Sequence, residues 1–108
     1  LLGMPLAKIL FRFRTNMVVE NKPYEDQELN NWSFIRTFKH DVLTEELVWH
    51  RDENGRFIEV LEGSGWEIQF DNGLPKKLHK GDRFFIPAKT FHRIKRGKTD
   101  LKIKVEEF

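Results

Sequence analysis

The segment VWHRDENGRFIEVLEG, residues 48–63, sets His50 and Asp52 two apart. In an extended chain that spacing puts an imidazole and a carboxylate on one face, where together they can hold a divalent cation or pass a proton. Arg56 follows shortly after, and Glu62-Gly63 closes the run where a strand would end. A further histidine, His92, stands downstream in GDRFFIPAKTFHRI. The chain has no cysteine, which excludes disulfides and thiolate ligands, so any metal must be held by imidazole and oxygen donors.

Other chemistry is poorly supplied. His40 and His79 adjoin Lys39 and Lys80 in turn-like segments and are expected in solvent. The carboxylates of LTEEL are adjacent, which on a strand sends them to opposite faces and away from a shared substrate. GSG at 63–65 is too short for a phosphate loop and precedes no helix. Neither a cysteine nucleophile nor a serine elbow is present. Trp49 and Trp66 are expected in the core or an interface.

The elements that must position these residues are strands. WEIQF, LKIKV and HRIK alternate apolar and polar residues at period two, the mark of strands buried on one face. KILFRFR, NMVVE, WSFIRTF, EELVWH, RFIEVL and DRFFIP fit further strands. Turn residues recur at ENG, GSG, DNG, KGD and RGKTD, with Gly63 and Gly73 candidates for positive φ. KPYEDQELNN is read as a short helical turn, and HDVLTEEL suits either state. Many short strands with regular turns predict an all-β sandwich or barrel. At 108 residues the chain makes one domain, and 10 Phe and 3 Trp help to fill its core.

The net charge of +2 conceals an asymmetry: residues 1–73 carry 8 basic against 13 acidic side chains, and residues 74–108 carry 11 against 4. Nucleic acid is not expected, because no aromatic-basic motif accompanies the basic half. Lys102 and Lys104 are read instead as the solvated face of a strand, guarding an exposed edge. No apolar run reaches the ~18 residues of a membrane span. LLGMPLAKIL is too short, and too soon broken by Arg12 and Arg14, for a signal peptide, and Met4 is read as the natural start. A cytoplasmic protein is expected.

The two histidine-bearing segments together resemble the paired motifs of the cupin superfamily, small antiparallel β-barrels of jelly-roll type. The first motif runs His-x-His, a Glu four residues on, then an aliphatic strand ending in Glu-Gly. His50 falls on its first His, Asp52 on the second, Arg56 on the Glu, and VLEG closes it. The second runs Gly-Asp, then Pro, then His, matched by Gly81-Asp82, Pro87 and His92. The resemblance covers residues 42–106, which are read as the core barrel, with residues 1–41 as an N-terminal arm and outer strands of the same domain. It implies that all four positions face into the barrel. Strand parity agrees: an inward Arg56 carries Ile58 and Val60 inward and Glu59 outward, and an inward His92 carries Ile94.

Two of the four positions depart from the family pattern, which leaves two readings open. In one, His50, Asp52 and His92 form a two-histidine, one-carboxylate set for a divalent Fe, Mn, Zn or Ni ion, and Arg56 orients the substrate of an oxygenase or isomerase. In the other, Arg56 pairs with Asp52 in place of the metal, and the barrel is a metal-free binding module or a structural, protein-interacting one. Either way Arg56, His50 and His92 would line a pocket for a small polar or anionic molecule. A homodimer is expected through the apolar segment LAKILFRF, with no nucleic-acid or membrane partner.

Overall fold

A computed structural model describes residues 10–12, 18–20 and 22–108 of the chain. In chain order the elements are strands β1 (Leu10–Arg12), β2 (Val18–Glu20), β3 (Tyr24–Asn30) and β4 (Ser33–Phe38), a 3₁₀ turn (Thr44–Glu46), then β5 (Arg56–Glu62), β6 (Glu67–Phe70), β7 (Lys76–Lys77), β8 (Arg83–Ile86), β9 (His92–Lys95) and β10 (Leu101–Glu107). β1 and β2 pair with each other. The remaining parts of LAKILFRF and NMVVE lie outside the described residues.

Two antiparallel sheets carry the core: a large one in the order β3-β4-β10-β5-β8 and a small one in the order β7-β6-β9. They face each other as a jelly roll, and among the described residues no continuous ladder closes them into a barrel. The fold is all-β, as the alternating sequence requires. Ile58, Val60, Leu101, Ile103 and Val105 of the large sheet pack against Trp66 and Ile68 of the small one. Trp66 is wholly buried and its indole N–H donates to the Thr99 carbonyl at 2.6 Å. Gly97 passes so close to Ser64 and Trp66 that a Cβ there would collide with the backbone. That contact, rather than turn chemistry, requires the glycine.

Several expectations are corrected. KPYEDQELNN forms strand β3, not a helical turn, because pairing with β4 satisfies its backbone where its own pattern is weak. EELVWH is not a strand: the 3₁₀ turn leads into extended chain that touches a sheet only at His50. Glu45 and Glu46 therefore sit in a turn. β10 lies in the middle of its sheet, so Lys102 and Lys104 guard no edge. They stand opposite Glu62 and Glu59 on β5, where cross-strand charges attract. Positive φ falls at Gly63, Gly65 and Gly81 and not at Gly73. Trp49 is exposed, with the Arg93 guanidinium over its ring.

Candidate functional site

Backbone pairing places the first two site residues. His50 and His92 exchange N–H···O bonds of 3.0 and 2.9 Å, forming a single antiparallel bridge at the free edge of β9. Two residues further on, the Asp52 carbonyl accepts from Lys89 N–H at 2.7 Å. Directly opposed residues send their side chains to the same face, so the two rings meet with centroids 4.4 Å apart. Period two then brings the Asp52 carboxylate to them.

Each imidazole is held in the same way. His50 Nδ1 lies 3.0 Å from the Val48 carbonyl and His92 Nδ1 lies 2.7 Å from the Thr90 carbonyl. A carbonyl only accepts, so Nδ1 carries a hydrogen in both rings, and Nε2 is the atom each ring has available for a metal. Both Nε2 atoms lie near Asp52: that of His92 is 3.4 Å from Oδ2 and that of His50 is 3.9 Å from Oδ1. One donor atom from each of the three residues lies within 4.8 Å of the others. Asp52 Oδ2 is buried and has no hydrogen-bond partner. Burial, and next the neighbouring His50, push the His92 pKa below 6.5, against the opposing pull of Thr90 and Asp52. The net shift favours the neutral ring.

Two imidazoles and the Asp52 carboxylate thus face one another, with Oδ2 of that carboxylate buried, without a hydrogen bond, and 3.5 Å from the Arg56 guanidinium. An unsatisfied buried charge of this kind is costly unless something positive sits beside it. The residues fit a divalent metal in donor type and spacing.

Arg56 enters the site as its strand parity requires, but it does not satisfy Asp52. Its Nε donates to Glu107 Oε2 at 3.0 Å, and its Nη2 forms an ion pair with the same oxygen at 2.8 Å. Only Nη1 approaches Asp52, at 3.5 Å from Oδ2, an electrostatic contact without hydrogen-bond geometry. The register of β5 against β10 sets Arg56 directly opposite Glu107. Sequence reading missed Glu107, although the signal was present: continuing Leu101, Ile103, Val105 by two lands on it. Arg36 was missed as well. It makes a bidentate pair with Asp26, its cross-strand partner, at 2.8 and 2.9 Å, and stacks 3.5 Å from the centre of the Tyr24 ring.

All four expected positions converge at one end of a cavity of about 390 Å³ between the sheets. Ile58, Ile86 and Ile103 line one wall, and Ile68, Ile94 and Leu78 line the other. The parity argument is confirmed, since Ile58 and Val60 are buried while Glu59 turns outward to Arg83. His40 and His79 lie elsewhere on the surface, beside Asp100 and Asp82. Two guanidiniums that line the cavity, Arg56 and Arg36, are each paired with a carboxylate.

No protein-family model matches this sequence, and neither does any curated protein. Solved structures do match. A cupin domain from Bordetella pertussis superposes with a TM-score of 0.55 at 13% identity, over 82% of this chain and 97% of that one. A cupin-2 domain-containing protein from Shewanella frigidimarina gives a TM-score of 0.55 at 21% identity, over 79% and 80% of the two chains. HppE in its Fe(II) form gives 0.58 at 17% identity, over 100% of this chain and 60% of that one. At these identities the likeness is one of architecture. The chain has the cupin fold.

Proposed function

We propose that this protein is a small metal-dependent cupin. His50 Nε2, His92 Nε2 and the Asp52 carboxylate would hold one divalent ion, and the adjoining cavity would take a small molecule. The observation that carries this reading is the Asp52 carboxylate, whose Oδ2 is buried without a hydrogen-bond partner and which has an imidazole Nε2 near each oxygen. Once bound, the ion would act as a Lewis acid toward an oxygen of the ligand, with positions left open for oxygenase or isomerase chemistry. The chain's own part is to keep both rings in the Nδ1–H tautomer, to exclude water with isoleucine walls, and to hold Arg56 beside the metal with its charge offset by Glu107. A homodimer in the cytoplasm completes the proposal. Light scattering that gives a strict monomer would remove the first part of it.

The competing metal-free module rests on the Arg56–Asp52 pair, which is 3.5 Å long, whereas the shorter contacts of Arg56, at 3.0 and 2.8 Å, go to Glu107. Elemental analysis of protein purified without added metal, followed by titration with Fe(II), Mn(II), Zn(II) and Ni(II), separates the two. One equivalent bound in the wild type and none in His92→Ala supports the metal site. No uptake of any of the four ions refutes it.

A further inference from the structure

The cavity also restricts what can bind beside the metal. Between the sheets its walls are built largely from isoleucine, leucine, valine and phenylalanine, and among the described residues the only hydroxyl and amide side chains that line it are Tyr24 and Asn54. A polyhydroxylated ligand would leave most of its hydroxyls without partners there, and each unmet buried group is unfavourable. The two guanidiniums inside are committed, Arg36 to Asp26 through both nitrogens and Arg56 to Glu107. Arg51 and Arg93 reach only the rim, against Phe91 and Trp49. Arg36 is not free to receive a phosphate, and Arg56 keeps only Nη1 away from Glu107, 3.5 Å from Asp52.

Charge limits the ligand further. Metal-bound imidazoles are neutral, Asp52 and Glu107 each contribute one negative charge, and Arg56 contributes one positive charge. A divalent ion brings the centre to a single net positive charge, which one negative charge neutralises and a phosphate dianion exceeds. On the reading of the site proposed above, we infer that the ligand is a monocarboxylate with an aromatic or branched alkyl body. Its oxygens face the metal, and its body lies between Ile58, Ile86 and Ile103 on one side and Ile68 and Ile94 on the other. Sugar phosphates are disfavoured on both charge and hydrogen bonding.

The test uses full-length protein loaded with Zn(II), metal uptake being established beforehand by elemental analysis. Calorimetry then compares mandelate, glycerate and glucose 6-phosphate. Mandelate is expected to bind at least about tenfold tighter than either of the others, because only its ring gains from leaving water. Ile68→Ala and Ile94→Ala, each checked for unchanged zinc content, should weaken mandelate several-fold and leave glycerate unaffected. If zinc binds but glycerate or glucose 6-phosphate equals mandelate, or if none of the three binds, the ligand class is overturned and the metal site stands. If no zinc binds, the metal site fails and the ligand inference fails with it.

Discussion

Glu107→Gln is the substitution that interrogates the site most directly. It preserves shape and leaves an oxygen acceptor for Arg56, but it deletes the charge that offsets the guanidinium. Glu107 Oε2 lies 2.8 Å from Arg56 Nη2, and Arg56 Nη1 lies 3.5 Å from Asp52 Oδ2. With the guanidinium between them, the two carboxylates are roughly 8 Å apart, and at an effective dielectric of about 40 a charge at that range contributes about 2 kcal/mol to holding a divalent ion. That dielectric lies between protein and water, as suits side chains that are partly exposed. Zinc affinity should therefore fall about 30-fold. The freed Arg56 can also turn its N–H groups onto Asp52 Oδ2, which acts in the same direction. Calorimetric titration of metal-free protein with Zn(II) measures the loss, and urea unfolding in chelator checks that the fold is intact. Arg56→Met alone should tighten binding, and the double variant should return to within about threefold of wild type, since the charges are then removed as a pair. An intact Glu107→Gln protein with wild-type zinc affinity, or a double variant as weak as the single, would refute the electrostatic reasoning.

Other perturbations give distinct outcomes. Asp52→Asn should abolish metal uptake yet leave the metal-free protein at least as stable to urea, because an amide can donate to His92 Nε2 where a bare carboxylate cannot. The His92 pKa lies below its unfolded value of 6.5, so as pH falls through 6.5 the unfolded chain gains a proton before the folded one. Stability of metal-free protein should then decline with falling pH until the folded ring protonates, and His92→Gln should flatten that slope in pH-dependent unfolding. Trp66→Ala removes a wholly buried indole and its bond to Thr99, for an expected loss of about 3–5 kcal/mol in urea denaturation. Gly97→Ala forces a Cβ into Ser64 and Trp66 and should lose about 1–3 kcal/mol or more, visible as a lowered Tm.

Much of this architecture could be read from pattern alone. Alternation in LKIKV and WEIQF marked the buried faces, and extending it from Arg56 to Ile58 and Val60 correctly told inside from outside. That works because side chains on a strand have only two directions to choose between. Pattern failed where pairing overrode it. YEDQELN has no apolar alternation and is a strand because β4 lies beside it, whereas EELVWH has strand-forming residues but no partner beyond His50. The lysines of β10 look the same in sequence whether their strand is central or at an edge. Only the neighbours distinguish those cases.

The sequence by itself determined that His50 and Asp52 share a face, that His92 shares a face with Ile94, and that no sulfur ligand is available. Residue spacing and composition suffice for such statements. Tertiary structure alone decided where the Arg56 charge goes. Arg56 lies four residues from Asp52 and 51 from Glu107, yet its hydrogen bond goes to Glu107. The register of β5 against β10 makes that choice, and register is fixed by the packing of both sheets together, which no local spacing encodes.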